Sequence, residues 1–372
     1  MRLGITCYPT YGGSGIVATE LGLELALRGH EVHFITSANP IRLDPAVPRI
    51  HYHEVEVSNY PLFQYPPYAL ALASRMAEVA SCYKLDLLHV HYAIPHSIAA
   101  LLAQQMLAAR SHRRLPFVTT LHGTDITLVG ADRSYFPITR FSIEQSDGVT
   151  AISEYLRQQT EEVFGIRRPI EVITNFVNCR TYRPAPEPRR RRDTLLHVSN
   201  FRPVKRVLDC IRILQEVRRQ HPARLIMAGD GPDRGPAEML AQELGVSEYV
   251  SFLGKQDHIE RLMPECDVLL LPSELESFGL VALEAMACGV PTVATRTGGV
   301  PELIEHDVDG FLEPVGAVDR HAARALELLQ DDGLYARMAR AARHTAESRF
   351  DAERIIPAYE HFYQEVCEAV PA

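Results

Sequence analysis

Residues 3–36 read LGITCYPTYGGSGIVATELGLELALRGHEVHFIT and contain, in order, an apolar run, a glycine-rich loop, a helical segment and a second apolar run. We predict a strand at Leu3–Cys7, a helix at Ile16–Arg28 that ends at Gly29, and a strand at Val32–Thr36. A strand, a crossover helix and a second strand form a βαβ unit, from which parallel sheets are built. The stretch therefore predicts an α/β fold.

The same alternation of apolar runs and amphipathic segments continues along the chain. It predicts a parallel sheet in each half, because strands that alternate with helical segments are typical of βαβ units. From residue 317 onward the sequence is helical, and its last amphipathic stretch, Ala352–Val366, has no strand after it. Further strands are predicted at Leu85–Val90, Phe117–Leu121 and Gly148–Ile152 in the first half, and at Leu195–Ser199, Arg224–Ala228, Tyr249–Phe252, Val268–Leu271 and Thr292–Ala294 in the second.

A segment rich in proline and arginine separates the two halves. Between residues 175 and 193 the periodicity fails, and three prolines precede the arginine run Arg189–Arg192. We therefore predict two doubly wound domains at residues 1–170 and 171–350, and a C-terminal helix at 351–372 that packs back on the first domain. The arginine run could instead bind nucleic acid, but an acidic chain without interleaved aromatic residues favours a solvated linker.

Length and composition are those of a folded protein with two domains. At about 100–200 residues per domain, 372 residues are enough for two separate cores. Hydrophobic residues make up 46% and charged residues 23%, which excludes a disordered chain. With 38 Lys and Arg against 47 Asp and Glu, the net charge is −9, so we expect neither nucleic acid nor a membrane as a partner. An anionic substrate must then meet a local basic pocket.

The cysteines and the apolar segments indicate a cytoplasmic protein. The seven cysteines are odd in number, scattered and without a C-x-x-C pair, as in a reducing compartment. Pro9 and the glycine-rich loop interrupt the first residues too early for the apolar region of a signal peptide. The apolar stretch Ala93–Ala109 contains Pro95 and is shorter than the ~20 residues of a membrane span. We therefore expect a soluble, unexported protein.

The glycine-rich loop Tyr11–Gly15 is the first candidate binding site. It lies between the first strand and the first helix, where glycines let a ligand approach the backbone and the helix N-terminus offers free N–H groups to an anion. Phosphate is the natural ligand of such a loop, and a tight turn without a ligand is the alternative. The candidate residues are Gly13, Ser14 and Gly15.

Residues 13–18 also fit the dinucleotide fingerprint G-x-G-x-x-A, which would indicate an oxidoreductase. That fingerprint requires an acid at the end of the second strand, where it binds the ribose hydroxyls. The chain has Thr36, Ser37, Ala38 and Asn39 there, so the pattern disfavours an oxidoreductase.

Two carboxylates surround one predicted helix N-terminus in the segment ELESFGLVALEA, residues 274–285. Glu276 falls in the loop after a strand, and Glu284 falls on the helix that starts near Gly279. The helix N-terminus can hold a diphosphate, and the acids can accept hydrogen bonds from sugar hydroxyls. Glu284 has apolar neighbours, so its charge needs a partner. Paired acids also occur in glycoside hydrolases, but a hydrolase of plain glycosides has no use for two phosphate-binding loops.

Up to three cations lie beside another predicted helix start in the segment SNFRPVKR, residues 199–206. They are Arg202, Lys205 and Arg206, and such a group can neutralise a leaving diphosphate. A single cation would not indicate a binding site, since lysine and arginine side chains are usually exposed to solvent.

Histidines occur in the spaced pairs His51/His53 and His89/His91, whose members would face the same side of a strand. Such pairs can bind a metal, but without cysteines or carboxylates at ligand spacing we expect none. His122 closes a buried-looking strand and precedes a glycine. It is a candidate site residue because ligands bind at the carboxyl ends of strands in open α/β sheets.

Taken together, these features resemble the family 4 retaining glycosyltransferases. The run ESFGLVALEA, residues 276–285, is similar to the E-x7-E signature of that family, and the segments at 175–178 and 298–302 are similar to two further motifs. The resemblance covers nearly the entire chain. It implies the GT-B architecture, in which two Rossmann-like domains hold the active site in the cleft between them.

Within the family, four stretches resemble the members that join N-acetylglucosamine to L-malate in the first step of bacillithiol biosynthesis. The likeness implies UDP-N-acetylglucosamine and L-malate as substrates, no metal or other cofactor, and a homodimer. The alternatives are a related retaining UDP-sugar transferase with another small anionic acceptor and a noncatalytic nucleotide-sugar sensor. The four stretches are Cys7–Gly15, Leu121–Thr127, Phe141–Ala151 and Asn200–Arg206.

The resemblance also implies roles for individual residues. Lys205, Glu276 and His122 are the candidate catalytic residues. Arg140, placed before the helical run 141–146, is the candidate cation for the malate carboxylates, and we expect it to be buried. Many relatives have an arginine where this chain has Asn200, and either Arg202 or Arg206 takes its place. The first domain is expected to bind the acceptor through Ser14, Tyr92, Thr119, Thr120 and Arg140. The donor is expected to contact Gly13, Ser14, Gly15, Asn200, Arg202, Lys205, Arg206, Glu276, Ser277, Phe278, Gly279, Leu280 and Glu284.

Overall fold

The computed structural model describes residues 1–10, 12–44, 46–58, 62, 64–111, 114–186 and 192–370. The chain forms two compact units, of which the first comprises Met1–Thr174 and Ile355–Ala372 and the second comprises Asn175–Arg354. Tyr11 of the glycine-rich loop and Arg189–Arg191 of the predicted linker lie outside the described residues.

The described part of the first unit contains a seven-stranded parallel sheet with helices between its strands. The strands are β1 (Arg2–Thr6), β2 (Glu31–Thr36), β3 (Ile50–Glu54), β4 (Leu87–His91), β5 (Phe117–Leu121), β6 (Gly148–Ala151) and β7 (Glu171–Val172). The helices are α1 (Gly13–Leu27), α2 (Tyr68–Tyr83), α3 (Ile98–Ser111), α4 (Thr124–Thr127), α5 (Phe136–Gln145) and α6 (Glu154–Phe164). The order β3-β2-β1-β4-β5-β6-β7 reverses direction between β1 and β4.

The second unit repeats this arrangement with a six-stranded parallel sheet in its described part. The strands are β8 (Thr194–Ser199), β9 (Arg224–Gly229), β10 (Val250–Gly254), β11 (Val268–Leu271), β12 (Thr292–Thr295) and β13 (Gly310–Glu313). The helices are α7 (Val207–Arg218), α8 (Arg234–Glu243), α9 (Ile259–Leu262), α10 (Leu280–Ala287), α11 (Val300–Leu303), α12 (Val318–Gln330) and α13 (Asp332–Arg349). The next helix, α14 (Ala352–Ala369), starts in the second unit, and most of it belongs to the first. The order β10-β9-β8-β11-β12-β13 reverses between β8 and β11.

Burial of both sheet faces explains why short apolar runs form the strands. All residues of β4, β5 and β11 are buried, as expected for parallel strands covered by helices. Helix α1 packs closely on β2, because a Cβ atom at Gly22 would lie 2.3 Å from the ring of Phe34. A larger side chain at Gly22 would push the helix away from the sheet.

The last helix returns to the first unit from Ile355 onward. Its Tyr363 hydroxyl lies 2.7 Å from Nδ1 of His89 on β4, and its Glu360 carboxylate lies 2.8 Å from Nε2 of His30. The ring of Phe362 packs against Gly148 of β6, which has no side chain, and a Cβ atom there would lie 2.8 Å from this ring. Helix α14 therefore covers β4 and β6.

The predicted fold class is confirmed, and every predicted strand forms with ends within two residues of the prediction. The predictions missed β3, β7 and β13. Strand β3 carries polar histidines at alternate positions, and β7 has only two residues. Strand β13 has only two apolar residues, between Gly310 and Glu313. Helix α1 begins at Gly13, earlier than predicted, so the second half of the glycine-rich loop is the first turn of a helix.

The described residues contain no helix that is both long and apolar enough to cross a membrane.

Candidate active site

The reversal of strand order in the second unit brings two loops together. Strands β8 and β11 are parallel neighbours, so the loops that follow them leave the same edge of the sheet. The backbone N–H of Glu274 donates to the carbonyl of Val204 over 2.8 Å and joins the two loops. Lys205 and Glu276, both predicted site residues, lie on these loops and form an ion pair, with Nζ 2.6 Å from Oε1.

Glu276 is held from three directions. Besides Lys205, the Ser273 hydroxyl donates to its Oε1 over 2.8 Å, and its carbonyl accepts from the N–H of Gly299 over 2.9 Å. Gly298 has a φ of +55°, and a Cβ atom there would lie 1.9 Å from the same carbonyl. Only glycine permits this approach, which explains the predicted motif at residues 298–302.

The predicted donor-binding residues 277–280 form the N-terminus of α10. Gly279 precedes the helix with a φ of +96°, and Phe278 is buried against the ring of Phe350 with centroids 5.7 Å apart. Ser277 and Leu280 are half-buried beside them. The first N–H groups of a helix have no partner within the helix and favour an anion. Lys205, Glu276 and this helix end thus create one polar surface at the sheet edge.

Glu284 lies in the second turn of α10 and is buried. The sequence predicted that this buried carboxylate needs a partner. The partner is the hydroxyl of Tyr182, which donates to Oε1 over 2.6 Å. The Arg343 guanidinium in turn donates to the carbonyls of Tyr182 and Cys179 over 2.6 and 3.0 Å. Sequence reasoning missed Tyr182 and Arg343, because they are distant from Glu284 in the sequence and belong to none of its motifs.

The two candidates for the missing family arginine differ in their surroundings. Nε of Arg206 donates to Asp209 over 2.7 Å, so its charge is already paired. Arg202 is exposed and has no ion pair within the part of the chain that the structure describes. Oδ1 of Asn200 is buried without a hydrogen-bond partner among the described residues. The geometry therefore leaves Arg202 available to a phosphate and Asn200 available to a hydrogen-bond donor.

The glycines of the first unit have different roles. A Cβ atom at Gly15 would lie 2.4 Å from the carbonyl of Tyr8, so Gly15 permits the turn of the backbone into α1. A Cβ atom at Gly12 or Gly13 would meet nothing within 4 Å. The open space beside Gly13 is therefore available to a ligand.

Ser14, Tyr92 and His122 come together at the carboxyl edge of the first sheet. The Ser14 and Thr124 side chains hydrogen-bond to the Tyr92 hydroxyl, but burial dominates and raises the pKa of Tyr92 to about 12. The Tyr92 ring stacks on His122 with centroids 5.8 Å apart. This arrangement presents a neutral tyrosine, a serine and a histidine to the same surface.

His122 is nearly buried, and its Nε2 lies 2.8 Å from Nδ1 of His91. Burial lowers the pKa of His122 to about 3, so the imidazole is neutral near pH 7. Asp125 accepts from the backbone N–H groups of His122 and Gly123 over 3.1 and 2.7 Å and orients this loop. The predictions missed Asp125 and His91, although Asp125 lies in a quoted motif.

Thr119, Thr120 and Arg140 differ from the remaining acceptor candidates. The Thr119 hydroxyl is buried within hydrogen-bond distance of Ser146, and the Thr120 hydroxyl lies 2.6 Å from Nε2 of His89. Both hydroxyls thus have partners inside the protein. Arg140 lies within α5, not before a helix, and its side chain is exposed, not buried as expected. Because α5 begins at Phe136, earlier than the predicted helical run 141–146, Arg140 lies inside the helix.

Comparisons with known proteins identify relatives over the whole chain. The family described as "Glycosyltransferase Family 4" matches residues 11–181, and "Glycosyl transferases group 1" matches residues 180–345. The chain is 47% identical to N-acetyl-alpha-D-glucosaminyl L-malate synthase from Bacillus anthracis, over 98% of this chain and 97% of that protein.

Solved structures share the fold. Sucrose-phosphate synthase from Thermosynechococcus elongatus has a TM-score of 0.82 at 20% identity and covers 99% of this chain and 100% of its own. Anabaena Alr3699/HepE, solved with UDP and glucose, has a TM-score of 0.78 at 20% identity and covers 98% of this chain and 100% of its own.

The buried histidines of the first unit predict sensitivity to acid. Burial lowers the pKa values of His89 and His122 to about 3 and that of His96 to about 4, below the ordinary value of 6.5. The unfolded chain therefore binds more protons below pH 6.5, and the folded state loses roughly 1 kcal/mol per pH unit for each histidine as the pH falls towards 4. Hydrogen-exchange protection of β4 and β5 should decrease between pH 7 and pH 5.

Two variants distinguish the contribution of the buried histidines to this pH dependence from that of exposed histidines. His89→Asn should reduce the dependence of protection on pH, because one titrating group is removed. His361→Gln, which changes an exposed histidine on α14, should leave it unchanged. Protection that does not vary with pH in the unmodified protein would contradict the interpretation.

Proposed function

Since the chain belongs to the family 4 glycosyltransferases, whose GT-B fold its two parallel sheets share, we propose that it transfers N-acetylglucosamine from UDP-N-acetylglucosamine to the hydroxyl of L-malate, the first step of bacillithiol biosynthesis. The observation that carries this proposal is the convergence of Lys205 and Glu276 beside the N-terminus of α10. A cation, a carboxylate and unpaired N–H groups are the chemistry that a nucleotide diphosphate sugar requires. The identity of the two substrates is supported by the relative at 47% identity.

The donor binds on the second unit in this proposal. Its diphosphate lies between Lys205 and the backbone N–H groups at residues 278–280, and Arg202 adds a second cation. The Lys205–Glu276 pair is partly exposed, with side-chain accessibilities of 23% and 13%, so an arriving phosphate can compete for the ammonium group. Glu276 then accepts hydrogen bonds from hydroxyls of the transferred sugar.

Glu284 binds the ribose. A carboxylate has two oxygens and about four acceptor positions, so Glu284 can accept hydrogen bonds from ribose hydroxyls in addition to the one from Tyr182. Tyr182 also fixes the orientation of the carboxylate, and Arg343 fixes the backbone of Tyr182. Tyr182 and Arg343 thereby hold the buried carboxylate of Glu284 in place before the nucleotide binds.

The transfer retains the anomeric configuration in this mechanism. The bond between the anomeric carbon and the phosphate oxygen breaks, and the sugar becomes an oxocarbenium-like cation. The malate hydroxyl attacks from the same face and gives its proton to the leaving phosphate oxygen, so UDP and the new glycoside are formed. Lys205, Arg202 and the helix N–H groups stabilise the charge that develops on UDP without a metal ion.

The acceptor binds on the first unit. Ser14 and Tyr92 donate hydrogen bonds to malate, and Arg140 binds a carboxylate from its exposed position on α5. Because its imidazole is neutral, His122 exchanges hydrogen bonds with the sugar and does not act as an imidazolium acid. Thr119 and Thr120 support this surface from behind through their buried hydrogen bonds.

The direct test is an assay with purified protein, UDP-N-acetylglucosamine and L-malate. UDP release should match the amount of a new α-glycoside detected by NMR, and added EDTA should not reduce it. Succinate, which lacks the hydroxyl, should be inactive, and lactate, which lacks one carboxylate, should be a poor acceptor. Arg140→Ala should raise the KM for malate, whereas Arg219→Ala on the second unit should not. Efficient transfer to another small anion and not to malate would contradict the acceptor assignment.

Lys205→Ala should reduce kcat by about 10²–10³, since a donor that stabilises leaving-group charge is removed. The KM for malate should change little. Lys255→Ala is the matched control, because it removes an exposed lysine of the same unit. Steady-state kinetics of the three proteins checks the prediction, and near-normal turnover of Lys205→Ala would remove Lys205 from the leaving-group site.

Glu284→Ala should weaken UDP binding about 10–100-fold, because hydrogen bonds to a charged group are lost. Tyr182→Phe should weaken it less, since the carboxylate remains but loses the hydroxyl that orients it. Glu274→Ala removes an exposed carboxylate from the neighbouring loop and should bind UDP normally. Titration calorimetry with UDP distinguishes these cases; equal UDP affinity of Glu284→Ala and the unmodified protein would place the ribose elsewhere.

A further inference from the structure

Three potential metal ligands lie on one face of the first sheet, at the amino ends of two strands. Glu31 and His33 occupy alternate positions of β2, so their side chains point to the same face. His51 of the edge strand β3 is the register partner of His33, which places its side chain on that face beside His33. The His33 and His51 rings stack with centroids 4.5 Å apart.

The distances from the Glu31 carboxylate to the two histidines fit a tetrahedral metal. Oε1 of Glu31 lies 3.4 Å from Nε2 of His33 and 3.3 Å from Nε2 of His51. Donor atoms of the three residues all lie within 4.8 Å of one another. With zinc–nitrogen bonds of about 2.0–2.1 Å, neighbouring ligands of a tetrahedron are about 3.3 Å apart.

The surroundings of His33 independently indicate a metal site. Its side chain is fully buried, and its Nε2 has no hydrogen-bond partner among the described residues. Its other nitrogen, Nδ1, lies 2.9 Å from Nε2 of His53, and the ring of Tyr83 packs on it with centroids 4.6 Å apart. A histidine whose second nitrogen is hydrogen-bonded has its free lone pair oriented, as metal-binding histidines do.

An ion can reach the cluster from solvent. The side chains of Glu31 and His51 are 39% and 42% exposed. Both line a cleft of about 530 Å³, to which Arg2, Arg49 and Asp86 also contribute. The positive charges of the two arginines disfavour binding of a dication, but the negative charges of Glu31 and Asp86 offset this repulsion.

We propose that Glu31, His33 and His51 bind one divalent transition metal, with Zn²⁺ as the best fit to the ligand set and spacing. The metal links the edge strand β3 to β2 and is structural. It lies at the amino ends of these strands, whereas the candidate active site lies at the carboxyl edge of the sheet, so it takes no part in the transfer reaction. The sequence alone predicted no metal, because Glu31 is far from His51 along the chain and only the pairing of β2 with β3 places its carboxylate beside that histidine.

The test is a titration of the full chain with Zn²⁺ after treatment with a chelator. One Zn²⁺ per chain should bind, and Co²⁺ in its place should give the visible absorption bands of a tetrahedral site. Glu31→Gln and His51→Gln should each weaken Zn²⁺ binding at least about tenfold. Both side chains are partly exposed, so the two variants provide independent tests if one of them folds poorly. The Tm should rise with Zn²⁺ in the unmodified protein and not in the variants.

Two control variants identify binding elsewhere. His361→Gln breaks an exposed histidine–glutamate pair on α14 whose Nε2–Oε1 distance is also 3.3 Å, and it should bind Zn²⁺ normally. Cys82→Ser removes an exposed cysteine and should also bind normally. The proposal is overturned if Zn²⁺ binding is absent, is lost only in Cys82→Ser, or is unchanged in Glu31→Gln and His51→Gln. These readouts do not depend on the transferase activity.

Discussion

The parallel pairing of β8 with both β9 and β11 is the constraint on which the candidate donor site depends. Parallel strands send their following loops to one sheet edge, and reversal of the strand order separates the helices that follow those loops. The loop after β8 can therefore carry Lys205 to the carboxylate of Glu276, which is 71 residues later in the chain. Neither side chain would be positioned by its own segment alone.

Glycine residues determine how closely the backbones of neighbouring loops approach one another. Gly298 allows one loop to pass against the carbonyl of Glu276, and Gly231 does the same against Asn200, where a Cβ atom would lie 2.1 Å from the carbonyl. Gly15 performs this role in the first unit, whereas Gly13 faces open space. Glycines in similar motifs thus divide into those that permit packing and those that leave room for a ligand.

Much of the fold and part of the site could be predicted from the sequence. The apolar alternation identified the central strands because burial on both faces imposes it, but it missed β3, whose histidines interrupt the apolar pattern. The proximity of Lys205 to Glu276 follows from motifs at two strand ends. The contact between Tyr182 and Glu284 has no such signal, since it depends on packing between distant segments. The exposure of Arg140 could not be inferred either, because it depends on where α5 begins.

The discontinuity of the first unit has a consequence for synthesis on the ribosome. Residues 1–174 emerge first, but the helix that carries Tyr359 and Tyr363 emerges only after the whole second unit has been made. Until then β4 lacks the hydroxyl that lies beside His89, and the side chains of Phe362 and Val366 that pack against Gly148 are missing. The second unit is continuous and can complete its own core at once. The part of the chain translated first is therefore the last to acquire its native structure.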